Sequence, residues 1–305
     1  MRMHRLFIAA CALLAWGAQA EPDESVLGKA RGYPAGTNSV NWYGNAYRVG
    51  SWSAMDKVPG LPARPVAKGV VATPLPPAAS PVAIQWKLQG AAYSLDDYLE
   101  RQRVTGLLIL KNGEIVAQRY RYGRSDAARF LSFSMAKSVT SLLVGIAADK
   151  GSLALDDAAG KHAKELAGSP YGDTTVRQLL RMGSGLVFTE RYDGTDDISR
   201  MSRAAVSGQP PVVQVLRSVT ERHSPAGEKF AYASAETEVL GRVLAGATGR
   251  AVADLTSEWL WQPLGAEQDA FWITAHDGQE RASGFFNAAL RDWSRLGLLL
   301  ARDGR

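Results

Sequence analysis

Leu131-Ser-Phe-Ser-Met-Ala-Lys-Ser-Val-Thr-Ser141 is the stretch on which the reading of this chain turns. Beyond it, Met135, Val139, Leu142, Leu143, Ile146 and Ala147 recur at helical spacing, and Gly151 supplies a C-terminal stop. Ser134 and Lys137 therefore stand three residues apart at the opening of an amphipathic helix, on one face. A serine hydroxyl is a poor nucleophile until a base removes its proton, and a lysine amine can be that base where burial and nearby positive charge keep it neutral. The helix N-terminus adds a dipole that favours the alkoxide. Ser-x-x-Lys alone is a weak signal, expected about once by chance in a chain of this size, and its plain alternative is a surface Ser and Lys. The context favours chemistry, because an ordinary solvated lysine is costly between an apolar hairpin and a strongly apolar helix.

That hairpin is read from Thr105–Leu110 and Glu114–Tyr120, which flank Lys111-Asn112-Gly113. Asn-Gly accepts positive φ at both turn positions, and because two strands are marginal alone the pair is expected in a larger sheet. Ser94-Leu95-Asp96-Asp97 caps a short helix to about Gln102. Downstream, Thr175-Val-Arg-Gln178 is a capping box for a helix that Gly183-Ser184-Gly185 ends. Further helices are expected from Val239 to Gly249, from Asp254 to Trp261 and from Leu290 to Ala301, with one small hairpin at Phe271–Thr274 around Asp277-Gly278. Pro225-Ala-Gly227 is a turn leading to Phe230-Ala-Tyr232-Ala-Ser234 just before a helix. A phenol beside a Ser/Lys pair can relay a proton to a leaving group; taken alone, Tyr232 reads as a core tyrosine.

The 305 residues, with 46% hydrophobic and 21% charged, exclude a wholly disordered chain. Thirty-five Lys+Arg against 30 Asp+Glu leave a small excess with no basic run, which argues against a nucleic-acid partner. One cysteine excludes a disulfide framework or a Cys-rich zinc module. Arg2 and Arg5, the apolar run Leu6–Trp16 and Ala18-Gln-Ala20 have the form of a signal peptide over residues 1–20, so export to the periplasm or medium is expected, without stable membrane insertion. Lipidation at Cys11, after Ile8-Ala-Ala10, is the lesser alternative. Residues 21–84 are rich in Pro, Gly and small residues and show no period. They are expected to wrap the body as an extended segment anchored by Trp42, Tyr43, Tyr47 and Trp52, partial disorder being the alternative. No Gly-x-Ser-x-Gly, His-Glu-x-x-His or phosphate loop occurs, and His162, His223 and His276 do not pair at metal spacing. Neither metal nor cofactor is expected. His223 is kept as an alternative base.

Several of these stretches, with Trp261-Gln-Pro-Leu-Gly265 and Arg291-Asp292 before Leu296-Gly-Leu-Leu-Leu300, occur together from about Leu95 to Arg305. In that order they resemble the class C serine β-lactamases and penicillin-binding-protein-like hydrolases, most of all the 6-aminohexanoate-dimer hydrolases and related carboxylesterases. The resemblance implies an α+β fold over residues 85–305: an antiparallel sheet flanked by helices, a helical domain inserted at about 131–275, and an active site between. It implies Ser134 as the acylated nucleophile, Lys137 as base and Tyr232 as proton relay, with Tyr192, Ser234 and Ser283 on the substrate side. Ser234 stands where many β-lactamases have Asn, and Ser283 about where dimer hydrolases have Asn, which argues against lactam and nylon-oligomer specialisation.

The expected activity is hydrolysis of a small-molecule amide or ester through an acyl-enzyme. A peptidoglycan D,D-peptidase, a weak β-lactamase and a non-catalytic fragment or binding protein of the same fold stay open beside it. The family's second oxyanion donor lies on a strand near the C-terminus that is not evident here, so strands are expected to be missing from a truncated C-terminal end.

Overall fold

The computed structural model describes residues 24–80 and 82–304. The described residues before Tyr93 are held by what they touch. It carries helix α1 (Asn45–Ser51) and strand β1 (Ala63–Val66), then the strands β2 (Gln85–Leu88) and β3 (Ala91–Ser94), which pair with each other. Met55, Val58 and Leu61 pack with Leu131, Phe271 and Ile273 in a small core of their own. Arg64 pairs with the buried Glu280 at 2.8 Å. Helix α2 (Leu95–Arg101) opens on a complete capping box between Ser94 and Asp97.

Strands β4 (Gly106–Lys111) and β5 (Glu114–Tyr120) form the expected hairpin, with Asn112 at φ 54° and Gly113 at φ 87°. Among the described residues they do not join a larger sheet. Instead the two strands form a separate ribbon that receives Pro76 and Ala78 along Ile115. Strand β6 (Arg129–Leu131) then enters the main sheet. Between it and the next strand the chain builds α3 (Ala136–Asp149), α4 (Val176–Leu180), α5 (Asp197–Ser207), α6 (Val212–Arg217), α7 (Ser234–Thr248) and α8 (Val252–Leu255). A π-helical turn over Thr256–Trp261 continues α8. Strands β7 (Ala270–Ile273) and β8 (Phe286–Ala289) follow, then α9 (Leu290–Ala301).

The main sheet is antiparallel with order β1-β7-β8-β6. It corrects the expected strand content: β1, β6 and β8 carry no sequence signal, and the small Phe271 hairpin is a central strand between β1 and β8. The Asp277-Gly278 turn closes only an isolated bridge, Thr274 to Glu280. The fold is thus a mixed α/β one in which helices flank a sheet.

Trp261, Trp272 and Trp293 surround Phe286 at ring-centroid distances of 5.1, 4.8 and 5.5 Å. Beside this core lies a buried ionic cluster. Asp292, fully buried, accepts from the Glu267 and Gln268 amides at 2.8 and 3.1 Å and from Arg295 at 2.9 Å. Arg295 also donates to the Thr73 carbonyl. A side chain on Gly265 would fall 2.2 Å from Thr73 Oγ1, so this close approach requires glycine there. The Arg-Asp and Pro-Leu-Gly motifs are therefore clamps on the N-terminal segment.

Removing one partner of a buried ion pair strands the other charge. Asp292→Ala is expected to lower unfolding free energy by about 3–5 kcal/mol, while the exposed Leu300→Ala changes it by less than about 0.5 kcal/mol. Urea unfolding checks both, and a loss below about 1 kcal/mol for Asp292→Ala would contradict the role given to the cluster.

Candidate active site

Residues 132–135 make a tight turn between β6 and α3. Phe133 sits there at φ 43°, uncommon for a residue with a side chain, its ring 5.1 Å from that of Trp52. The buried Ser132 fixes the turn to β8: its amide donates to the Phe286 carbonyl at 2.8 Å and its hydroxyl accepts from the Phe286 amide at 3.2 Å. Ser134 is consequently presented to solvent, and Lys137 lies half-buried one turn later.

Lys137 Nζ donates to Ser134 Oγ at 3.2 Å and to the Ser283 carbonyl at 2.6 Å. Tyr232 donates its phenolic proton to the same Ser134 Oγ at 2.8 Å, and its ring lies 5.1 Å from Lys137 Nζ. Tyr232 is aimed by the strand-like run before α7, where the Ala231 amide donates to the Met182 carbonyl and the Gly227 amide to Gly183. A side chain on Gly185 would lie 2.1 Å from the Ser224 carbonyl. The glycine-rich turn after α4 thus exists to hold the Tyr232 segment close. Such an arrangement places a hydroxyl between two groups able to carry its proton.

Tyr192, Ser234 and Ser283 line the same cavity as Ser134, a space of about 600 Å³. Tyr192 is largely exposed, at φ 57°, its amide tied to Asp196. The Ser234 amide donates to Glu190 at 3.2 Å. Ser283 gives both its amide and its hydroxyl to Glu238 Oε1, at 3.1 and 2.5 Å. Its hydroxyl is therefore engaged within the protein, and what it offers the site is the carbonyl that holds Lys137. His223 makes no side-chain hydrogen bond among the described residues, and its amide donates to Gly185. No group of three or more His, Cys, Asp or Glu suited to a metal occurs among the described residues.

The sequence reading missed the buried acids that organise the site. Glu236 accepts from the Ser184 hydroxyl at 2.7 Å and amide at 3.2 Å. Glu190, Glu236 and Glu238 join three loops to the start of α7. A signal was available: Ser234-Ala-Glu-Thr-Glu238 sets two acids at the head of an otherwise apolar helix, as costly as the lysine on α3. The wall formed by Trp42, Tyr43, Trp52 and Phe285 was also missed as a site feature.

The family described as Beta-lactamase matches residues 93–300. The 6-aminohexanoate-dimer hydrolase of Paenarthrobacter ureafaciens is 28% identical over 250 residues, 80% of this chain and 62% of that protein. Protein flp of Staphylococcus aureus strain MW2 is 25% identical over 61% of this chain and 39% of its own length. The chain thus spans less than two thirds of these relatives. Among solved structures, a protein from Bacillus anthracis assigned as a 6-aminohexanoate-dimer hydrolase superposes with TM-score 0.79 at 24% identity, over 88% of this chain and 72% of that one. A class C β-lactamase from Rhodobacter sphaeroides gives 0.51 at 20% identity, over 68% and 64%. These two likenesses show the fold.

Burial, outweighing the two Ser184 hydrogen bonds, raises the Glu236 carboxyl from an ordinary 4.5 to about 7. The folded chain then keeps a proton that the unfolded chain releases, so stability falls as pH rises between these values, by roughly 3 kcal/mol in total. Glu236→Gln cannot titrate, and its stability relative to wild type is expected to grow by that amount from pH 4.5 to 8. Urea unfolding across this range tests it; parallel pH profiles for the two proteins would contradict it.

Proposed function

The chain belongs to the beta-lactamase family, and on that premise we propose that it is an exported serine hydrolase cleaving an ester or amide through an acyl-enzyme on Ser134. The observation that carries this reading is the convergence of Tyr232 at 2.8 Å and Lys137 at 3.2 Å on one hydroxyl oxygen. Export rests on residues 1–20, which lie outside those described.

Ser134 Oγ attacks the carbonyl carbon while its proton passes to Lys137. The carbonyl oxygen becomes an oxyanion, to which the Ser134 amide supplies one donor. Tyr232 then conveys a proton from Lys137 to the leaving oxygen or nitrogen as its bond to carbon breaks, leaving Ser134 acylated. Water attacks the acyl carbon, gives its proton through the same pair, and the carboxylic acid leaves as Ser134 Oγ is reprotonated. The aromatic wall of the cavity suits an apolar acyl or leaving group. Ser234, where many β-lactamases carry Asn, supports short esters and amides over β-lactams.

Ser134→Ala is expected to abolish both fluorophosphonate labelling and p-nitrophenyl acetate hydrolysis. Lys137→Arg, which keeps a charge that cannot be given up, and Tyr232→Phe are each expected to lower kcat by about 10²–10⁴-fold. Full activity in Lys137→Arg would remove the lysine from the role of base. Nitrocefin turnover faster than ester turnover would replace the esterase reading by a lactamase one.

A further inference from the structure

Arg281 differs from the other two buried arginines among the described residues, Arg242 and Arg295. Arg242, also in the cavity wall, pairs with Asp277 at 2.7 Å and Glu165 at 3.5 Å. Arg295 is held by Asp292, Glu267 and the Thr73 carbonyl. Arg281 is 8% exposed and lines the cavity shared with Ser134, yet its side chain donates to no acceptor and forms no ion pair among the described residues. Its guanidinium carbon lies 3.6 Å over the Phe285 ring. Stacking uses the flat face and leaves the in-plane N–H donors free.

Glu238, which lines the same cavity, forms no ion pair with Arg281 among the described residues. Glu238 exerts an electrostatic pull on Arg281, but its Oε1 is taken by the Ser283 amide and hydroxyl. Burial lowers the Arg281 pKa to about 10, with Glu238 opposing, so the group stays cationic at neutral pH. A buried, unpaired cation costs several kcal/mol, and a partner carried in by the ligand would offset that cost. Placement is also fixed: the Arg281 amide donates to Ile273 at 3.0 Å, and two residues on, the Ser283 carbonyl holds Lys137. The backbone that carries Arg281 is thereby held in register with Lys137, while its guanidinium lies over Phe285 in the wall shared with Ser134.

We propose that Arg281 is the anion-recognising residue of this cavity and that the substrate is an ester or amide bearing a carboxylate, gripped by the guanidinium while its scissile carbonyl meets Ser134. The inference rests on Ser134 being the acylated residue. A planar guanidinium binds a carboxylate through two parallel hydrogen bonds, which orients the substrate as well as holding it. The carboxylate can belong to the acyl part or to the leaving group.

Two ester pairs separate these sources. For the acyl side, mono-p-nitrophenyl glutarate is compared with its neutral methyl ester; for the leaving side, the butyrate ester of 4-hydroxybenzoate is compared with that of methyl 4-hydroxybenzoate. Wild type is expected to favour the anionic member of one pair by at least about tenfold in kcat/KM. Arg281→Met brings that ratio near one, and Arg281→Lys retains part of it. Calorimetry with glutarate and 4-hydroxybenzoate provides a readout independent of turnover, with binding to wild type and none to Arg281→Met. Should Arg281→Met not fold, Arg281→Gln and Arg281→Lys take its place. Equal rates within both pairs, or a preference that survives loss of the guanidinium, would overturn the proposal. No turnover of any ester together with Arg281-dependent binding would instead overturn the hydrolase reading and leave the carboxylate site standing.

Discussion

A single amine organises this molecule. Lys137 stands on a helix whose neighbouring positions Ala136, Val139 and Thr140 are fully buried, and an amine in that setting needs hydrogen-bond partners. It has two, the hydroxyl of Ser134 and the carbonyl of Ser283. The second can be there only if the chain returns across the start of α3 nearly 150 residues later. Ser132 and Thr140, on either side of Lys137, enforce that return. Ser132 bonds Phe286 in both directions, and the Thr140 hydroxyl donates to the Ala282 carbonyl at 2.9 Å. The central sheet, the turn over residues 132–135 and the 282–286 segment are in this sense parts of one constraint.

Helix α7 completes it from the other side. Its first turns bring Glu236 to Ser184, Glu238 to Ser283 and the Ser234 amide to Glu190. Tyr232 lies immediately before this cluster. Buried acids that accept from several donors are costly to strand and therefore rigidify what they touch. Tyr232 inherits that rigidity, which is what the proposed relay needs if it is to stay in contact with one oxygen.

How much of this was legible in the sequence depended on where each signal was stored. Local chemistry was readable: the N-cap at Ser94, the capping box at Thr175, the Asn112-Gly113 turn and the Gly151 and Gly249 stops all occur as expected. Ser134, Lys137 and Tyr232 could be picked out because each sits at a helix start in an apolar setting. Of the main sheet only β7 was read, and as half of a small hairpin. Strands β7 and β8 are buried at every position, so they show no alternation, and β6 is only three residues long. Strand β1 contains Pro65 and exists because β7 offers it an edge. Arg281 was invisible for a different reason, since an unpaired charge is defined by neighbours that only the fold assembles.

The central claim is that Ser134 becomes covalently acylated. Its most direct test is rapid acid quenching of the protein during p-nitrophenyl acetate turnover, followed by peptide mass spectrometry. An acetyl group on the peptide containing Ser134, formed at the rate of the p-nitrophenol burst and absent after denaturation before mixing, is the predicted result. Turnover with no acetylated peptide, or with the acetyl on another residue, would contradict it.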